Sequence, residues 1–186
     1  GINLLALNSG RPEVMTVRDV LVAFIAFREE VITRRTIFEL GKARDRAHVL
    51  VGLAIAVANI DKIIELIRGA PDPVSAREGL MKSPWPAGEV VSLIQLIDEP
   101  GRTVVDGSYQ LSEIQARAIL DLRLQRLTGL ERDKIADELE GLASQIIEYL
   151  EILSSPERVR GILREELLEV KEKFADERRT TIDDSE

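Results

Sequence analysis

"VRDVLVAFIAFREEVITRRTIFELGKARDRAHVLVGLAIAVANIDKIIELIR", residues 17–68, contains no proline, and its apolar residues recur in steps of three and four. This spacing predicts one long amphipathic α-helix. At 1.5 Å per residue it is roughly 75–80 Å long, more than a compact domain needs, so we expect an arm. One apolar stripe comprises Val20, Phe24, Phe27, Val31 and Phe38, and a shifted stripe comprises Ala43, Ala47, Leu50, Ala54, Val57 and Ile64.

The residues before this helix predict a β-hairpin. Ile2, Leu4, Leu5 and Leu7 suit a strand, Asn8-Ser9-Gly10 suits a turn, and Val14-Met15 suits a second strand. Thr16 is followed three residues later by Asp19, a spacing that predicts a capped helix start.

Residues 69–108 differ in composition, because prolines and glycines recur there. They predict short helices over 73–81 and 87–97. Trp85 lies between two prolines, and we expect it to pack in a core rather than bind a ligand.

A second helical seam follows, with steps of four and three that are typical of a heptad repeat. Ser154-Ser155-Pro156 interrupts it, and Ser155 is the expected cap of a helix that restarts at Pro156. The seam comprises Ile135, Leu139, Leu142, Ile146, Tyr149 and Leu153, then Val159, Leu163, Leu167, Val170 and Phe174.

These patterns predict a mainly α fold: a long antiparallel two-helix coiled-coil arm, a small globular helical head and a short β-hairpin at the N-terminus. The predicted divisions are strands over 1–15, an outgoing arm helix over 16–69, a head over 70–130, a returning helix over 131–177 with a break near 154–156, and an extended tail over 178–186.

Composition limits the chemistry available to the 186 residues. Cysteine is absent and histidine occurs once, at His48, which excludes a disulfide framework, a cysteine zinc site and a multi-histidine metal site. The sequence contains no nucleophile motif or phosphate-binding glycine loop. Tyr109 has no arginine beside it in sequence, and we interpret it as structural. No signal peptide or long uncharged run is present, so we expect a cytoplasmic protein without a membrane partner.

Charge is unevenly distributed along the chain. The net charge is −8, and Glu131 to the C-terminus holds 17 acidic and 9 basic residues, which argues against duplex binding there. Arg28 to Arg46 is locally basic, with six basic and four acidic residues. A solvated helix face with pairs such as Glu30–Arg34 and Glu39–Lys42 is favoured over a nucleic-acid contact.

The stretch "SYQLSEIQARAILDLRLQRLTGLE", residues 108–131, predicts a helix capped by Ser112 and followed by a helix whose capping box is Thr128 and Glu131. The first helix has two apolar sides. We expect one to pack inside the head and the other to be covered by a second copy of the chain about a two-fold axis. A head that wraps both sides itself remains the alternative. The inner side comprises Ile114, Ala118, Ile119 and Leu122, and the interface side comprises Ala116, Leu120, Leu124 and Leu127.

Three stretches resemble the DNA gyrase A-subunit family of bacterial type IIA topoisomerases. They are residues 31–73, residues 109–135 and "REELLEVKEKFADERRTTI" at 164–182. Within the first, the run Thr-Arg-Arg-Thr-Ile-Phe-Glu-Leu at 33–40 resembles gyrase more than its paralogue topoisomerase IV. The resemblance covers essentially the whole chain.

The resemblance implies the coiled coil and exit gate of an ATP-dependent enzyme that passes one DNA duplex through a double-strand break in another. It implies a homodimer through the head, a complex with the DNA gyrase B subunit, and transient passage of double-stranded DNA. Mg²⁺ and ATP would belong to the cleavage core and the partner subunit. Neither Tyr109 nor Tyr149 matches the family's catalytic motif, so we expect no catalytic, cofactor or metal residue here and no activity of the chain alone.

Two further expectations concern motion and an alternative function. Gly41 and the Ser155-Pro156 pair are the candidate hinges, because glycine and proline locally weaken a helix. The alternative function is a non-enzymatic coiled-coil hinge or dimerisation module of a chromosome-organising protein, against which the resemblance at 31–73 argues.

Overall fold

The computed structural model describes residues 3–99, 102–122 and 129–181, with only the backbone of 129–131. It confirms a mainly α chain with a short N-terminal β-hairpin. The chain divides into two compact units, which we call the terminal unit (residues 1–37 and 151–186) and the central unit (residues 38–150).

The hairpin consists of β1 (Leu4–Asn8) and β2 (Arg11–Met15), which pair antiparallel with Leu4 opposite Met15. Its two turn residues, Ser9 and Gly10, have φ angles of 50° and 80°. Two successive left-handed residues produce the turn whose twist matches a two-residue hairpin, which explains the glycine. The predicted hairpin is confirmed.

Helix α1 (Val17–Ala58) starts where the sequence predicts. The Thr16 amide donates to Asp19 Oδ2 at 2.9 Å, and the Asp19 amide donates to Thr16 Oγ1 at 3.2 Å. These reciprocal bonds satisfy amides that have no partner within the helix.

The predicted end near Arg68 is confirmed, since α2 (Ile60–Gly69) ends one residue later, but the predicted single helix is wrong, because the chain turns at Asn59 between α1 and α2. The Asn59 side-chain amide donates to the Ile55 carbonyl at 2.9 Å and to the Pro86 carbonyl at 3.3 Å. A side chain that bonds backbone groups in this way competes with the helix, which accounts for the break.

The predicted first stripe of α1 is also wrong, because Val20, Phe24, Phe27 and Phe38 are exposed. Burial instead begins at Ile32 and Thr36. Thr36 is tolerated there because its hydroxyl donates to the Ile32 carbonyl at 2.9 Å, a bond that hydropathy patterns do not register. The buried aliphatic residues of α1 are Ile32, Leu40, Ala43, Ala47, Leu50, Val51, Ile55, Ala56 and Val57.

The central unit continues with short elements, as the prolines and glycines predict. These are α3 (Pro73–Lys82), β3 (Trp85–Pro86), a 3-10 helix (Gly88–Val90), α4 (Val91–Ile97), β4 (Ser108–Tyr109) and α5 (Glu113–Leu120). Trp85 is buried and pairs with Tyr109 between the two strands, and its indole N–H donates to the Leu80 carbonyl at 2.8 Å. The prediction that Trp85 packs in a core is confirmed.

The last two helices are α6 (Gly129–Ser154) and α7 (Pro156–Phe174). The predicted break is confirmed, since Ser155 caps α7 by accepting the Arg158 amide at 3.4 Å and Pro156 occupies the first turn. Leu139, Ile146, Ile152, Val159 and Leu163 are buried.

The predicted seam of α7 ends earlier than expected. Leu167, Val170 and Phe174 are exposed, as are Val20 and Phe24 near the start of α1. The predicted mutual burial of these residues is therefore wrong. Residues 175–181 form neither helix nor strand, as expected of a tail.

Candidate functional site

Helix α5 is held at its start by a complete capping box. Ser112 Oγ accepts the Gln115 amide at 3.0 Å, and Gln115 Oε1 accepts the Ser112 amide at 2.9 Å. The predicted cap is confirmed. The helix ends at Leu120, with Asp121 as its C-cap. The predicted residues Leu124, Leu127 and Thr128 and the Glu131 side chain lie outside the part of the chain that the structure describes.

The assignment of the two sides of α5 is wrong for two residues. Ile114, expected inside, is 62% exposed, and Ala116, expected at an interface, is 0% exposed within the single chain. Ile119 is buried as expected, whereas Ala118, Leu120 and Leu122 are half-buried. Ala116 therefore offers no surface to a second chain in this arrangement.

The hydrogen bonds of Gln115 explain why the buried side of α5 differs from the predicted one. A hydropathy wheel places glutamine towards solvent, yet Gln115 is 0% exposed. Its side-chain amide donates to the His48 carbonyl at 2.7 Å, and its carbonyl oxygen serves the capping box. With these bonds made, burial costs little, and the inward side centres on Gln115, Ala116 and Ile119. The Ser-x-x-Gln spacing was the sequence signal that could have shown this.

A polar cluster adjoins the start of α5, formed by the buried residues His48 on α1, Ser112 and Gln115 and by half-buried Glu99. We call it the His48 cluster. His48 Nε2 lies 2.7 Å from Ser112 Oγ, and His48 Nδ1 lies 2.8 Å from Glu99 Oε2. The cluster thus connects α1 with the N-terminus of α5 and with Glu99, which lies two residues after the end of α4. Local sequence patterns do not predict this cluster, because His48 is far from Glu99 and Ser112 in the chain.

Burial dominates the titration of two groups at this cluster. Burial lowers the pKa of His48 below its ordinary value of 6.5; Glu99 and Asp45 raise this pKa, and Arg102 lowers it. Burial likewise raises the pKa of Tyr109, although a hydrogen bond with Gln115 opposes that shift. Tyr109 is almost fully buried, which agrees with a structural role.

The Glu99–His48–Ser112 connectivity is that of a serine hydrolase triad, but the surroundings do not suit catalysis. Ser112 is buried, and its Oγ already accepts the amide that caps α5. A nucleophile must reach a substrate carbonyl, and this hydroxyl faces the protein interior. The arrangement therefore organises the fold of the central unit. Across the described residues, no group of three or more potential metal ligands occurs.

The locally basic stretch of α1 is largely paired with carboxylates. The Glu166 carboxylate on α7 accepts hydrogen bonds from the guanidinium groups of Arg28 and Arg35, each with an N···O distance of 2.5 Å. Arg46 pairs with Glu138 on α6 at 2.7 Å. Arg35, followed by Arg28, lowers the pKa of Glu166, and Arg46 lowers the pKa of Glu138.

Of the two intrahelical ion pairs predicted within this stretch, one is present and the other is replaced by a different contact. The predicted Glu30–Arg34 pair is present at 3.3 Å. Lys42, expected beside Glu39, instead has its ammonium 4.3 Å above the Phe38 ring. Together, these contacts favour a paired, solvated helix surface over a phosphate-binding one.

The two candidate hinges differ in local structure. Gly41 continues α1 without interruption, and a Cβ built there meets nothing within 4 Å. Ser155 and Pro156, by contrast, separate two helices. Only the second candidate is an interruption in the helical hydrogen-bond pattern.

The comparison with known families decides the classification. A family model for the A subunit of DNA gyrase/topoisomerase IV matches residues 1–168. The chain belongs to the DNA gyrase/topoisomerase IV A-subunit family. It is 55% identical over its whole length to the DNA gyrase A subunit of Granulibacter bethesdensis and covers 20% of that protein. It is 51% identical, over 98% of its length, to that of Salmonella typhimurium and covers 22% of it.

A third relative, the DNA gyrase A subunit of Rickettsia bellii, is 49% identical over 98% of the chain, which covers 20% of it. The chain thus spans about a fifth of the length of these gyrase proteins. Within the described residues, no helix combines the length and apolarity needed to cross a membrane.

Proposed function

We propose that the chain is the coiled-coil and exit-gate region of the DNA gyrase A subunit. Its parent is then an ATP-dependent type II topoisomerase that negatively supercoils cytoplasmic DNA by double-strand passage. In this role the chain holds two A subunits together, while the B subunit uses ATP and the cleavage core uses Mg²⁺. The chain itself supplies no catalytic residue and needs no cofactor.

The outward side of α5 is the observation that carries the gate proposal. Ile114 is 62% exposed and Ala118, one turn further along α5, is half-buried. Leu120, on the other apolar side of the helix, is also half-buried, so it remains partly accessible. The capping box and buried Gln115 fix this side relative to the rest of the central unit. A second copy related by a two-fold axis would cover it with an identical surface, the simplest solution for a homodimer.

The proposed interface differs from the one expected from sequence. Ile114 joins it and Ala116 leaves it, because the first is exposed and the second is buried in its own chain. Leu120 stays. Leu124 and Leu127 stay as predictions, because they lie outside the described residues. A small apolar contact of this kind can separate to release a duplex without unfolding either chain.

Sedimentation of a paired variant tests the interface. Ile114→Asp with Leu120→Asp places charges where two copies would meet, and we expect the dimer to dissociate at micromolar concentration. Ile147→Asp is the matched control, because Ile147 is an exposed isoleucine of α6 outside the proposed interface. A dimer that survives the paired substitution, with helical content unchanged, contradicts the proposal.

Activity assays test the relation to the parent enzyme. We expect the chain alone neither to cleave nor to relax plasmid DNA. The complete A subunit with the paired substitution, mixed with the B subunit in the presence of ATP, is expected to lose supercoiling, because the A subunits separate once the DNA gate opens. Full supercoiling by that variant would show that α5 does not hold the gate.

We also propose that gate opening bends the chain near Gly41 and near Ser155-Pro156. The divisions between the two compact units, at 37/38 and 150/151, fall within about five residues of both sites. Gly41→Arg with Pro156→Ala should stiffen both helices and slow supercoiling by the complete enzyme. An unchanged rate in that variant argues against these hinges.

A further inference from the structure

We propose that His48 is a proton-controlled clamp on the N-terminus of α5: its neutral imidazole holds Ser112 in the capping position, and protonation of the imidazole releases it. The regulatory consequence for dimerisation rests on the proposed function of α5. The clamp itself is a property of the central unit and can be tested separately.

The hydrogen-bond geometry selects one neutral tautomer. His48 Nδ1 lies 2.8 Å from Glu99 Oε2, and this carboxylate oxygen is shielded from solvent and has no hydrogen-bond partner among the described residues. The carboxylate attracts a proton on Nδ1, whereas it would repel a lone pair there. Gln115 Nε2 lies 3.5 Å from the same nitrogen, but it donates its shorter bond, 2.7 Å, to the His48 carbonyl.

With Nδ1 protonated, Nε2 is an acceptor for the Ser112 hydroxyl 2.7 Å away. The Ser112 oxygen then keeps its lone pairs for the Gln115 amide, which it accepts at 3.0 Å. The Glu99 carboxylate therefore sets the tautomer of His48, and the tautomer sets the direction of the hydrogen bonds from His48 to the first turn of α5.

A second proton on His48 disrupts this order. Nε2–H becomes a donor, and Ser112 Oγ must accept from both His48 and Gln115 while its own proton loses its acceptor. A buried hydroxyl without an acceptor and a buried imidazolium are both unfavourable. Opening the start of α5 relieves both, because it lets water reach Ser112 and His48.

The charges around the imidazole and its burial set the pH at which His48 takes up this second proton. Glu99 and Asp45 favour the protonated form, Arg102 disfavours it, and the nearby Tyr109 is neutral because burial raises its pKa. Burial outweighs the carboxylates and keeps the pKa of His48 below 6.5. The clamp is thus closed at neutral pH and opens on acidification.

The lone histidine makes the clamp directly observable. Long-range ¹H–¹⁵N correlation spectra of the 186-residue chain should show the Nδ1–H tautomer at pH 7.5 and a titration midpoint below 6.5. Glu99→Gln should lower the midpoint and Arg102→Gln should raise it. An Nε2–H tautomer, or a midpoint at or above 6.5, overturns the proposal.

Amide exchange reports the release of α5. We expect the protection factor of the Gln115 amide to fall at least about tenfold between pH 7.5 and the end of the His48 titration. His48→Gln, which cannot titrate, should show no such step. Protection that stays constant while the imidazole titrates shows that protonation does not open the helix, and the clamp is then wrong.

Sedimentation at pH 7.5 and 5.0 separates the clamp from the gate. Wild-type chain should dimerise more weakly at pH 5.0, and His48→Gln should lose that dependence. A chain that is monomeric at both pH values contradicts the gate, while the exchange data still decide the clamp. A dimer whose affinity does not change as His48 titrates contradicts the proposed effect of the clamp on dimerisation.

Discussion

The central and terminal units are stabilised in different ways. The central unit encloses polar groups that satisfy one another, and it buries side chains from α1 to α6 around them. The terminal unit buries few of its large apolar side chains and joins its helices through exposed or half-exposed ion pairs such as Glu29–Arg160. Paired charges at a surface contribute little, whereas a closed core contributes much. We therefore expect substitutions in the central unit to have the larger effects.

The largest effect should come from the central core. Leu80 on α3 is fully buried, and Leu80→Ala should lower the free energy of unfolding by about 2–5 kcal/mol through lost transfer energy and a cavity. Leu168→Ala, at a 53% exposed leucine of α7, should change it by less than about 0.5 kcal/mol. Urea unfolding followed by the fluorescence of Trp85 and by circular dichroism measures both. Equal losses would remove the contrast between the units.

The same contrast explains what the sequence could and could not predict. The hairpin, the Thr16 cap and the break before Pro156 depend on neighbouring residues, and local spacing predicted them correctly. The first stripe of α1 was wrong because apolar periodicity does not distinguish a side chain that packs from one that remains exposed. Thr36 shows the converse, a polar residue that is buried because a local bond satisfies it.

The candidate site was harder to predict than the fold. The location of α5 and its Ser112 cap followed from the sequence, but its orientation depends on a bond from Gln115 to His48, 67 positions away. Hydropathy alone assigns Gln115 to solvent, so Ile114 was wrongly predicted to be buried and Ala116 wrongly predicted to be at an interface. A long-range polar contact of this kind is visible only when the chain is folded.

A second, smaller effect should come from the His48 cluster. Gln115→Ala leaves the buried Ser112 amide without its partner and removes the side-chain bond to the His48 carbonyl, which keeps its bond within α1, and this should cost about 1–3 kcal/mol. Gln110→Ala is the control, since Gln110 is exposed and contributes only its backbone carbonyl, to Arg102. Chemical denaturation at pH 7.5 measures the difference. A loss no larger than that of Gln110→Ala would show that the cluster does not stabilise the central unit.

A third effect concerns Glu166 and should depend on pH. Because Arg35 and Arg28 lower its pKa below the ordinary 4.5, the carboxylate stabilises the terminal unit above that pH, and this stabilisation is lost as the pH falls through the lowered pKa. Glu166→Gln should cost up to about 1 kcal/mol at pH 7 and nothing at acidic pH. Denaturation at several pH values, with the exposed Glu165→Gln as control, measures this.

The two units should consequently respond to acid in different windows. His48 has a lowered pKa, so the unfolded chain binds its proton first, and the stability of the central unit falls as the pH drops below about 6.5. The stabilisation by Glu166 is lost only below 4.5. Amide exchange resolved by unit at pH 7.5, 5.5 and 4.0 should show the central unit losing protection in the first step. If only the terminal unit lost amide protection between pH 7.5 and 5.5, the assignment of the first acid step to His48 would be wrong.

The smallest expected effect is a gain, at Gly41. This residue is exposed within α1, and a methyl group there meets no neighbour within 4 Å. Gly41→Ala removes backbone freedom from the unfolded chain and should stabilise the protein by about 0.5–1 kcal/mol. Gly52→Ala is the informative comparison, because a Cβ there would lie 2.6 Å from Gln115 Cγ and press on the His48 cluster. Thermal unfolding should therefore shift upwards for the first variant and downwards for the second. A gain at both sites would mean that the contact between α1 and Gln115 relaxes freely, and the cluster would then be a softer constraint on α5 than its geometry indicates.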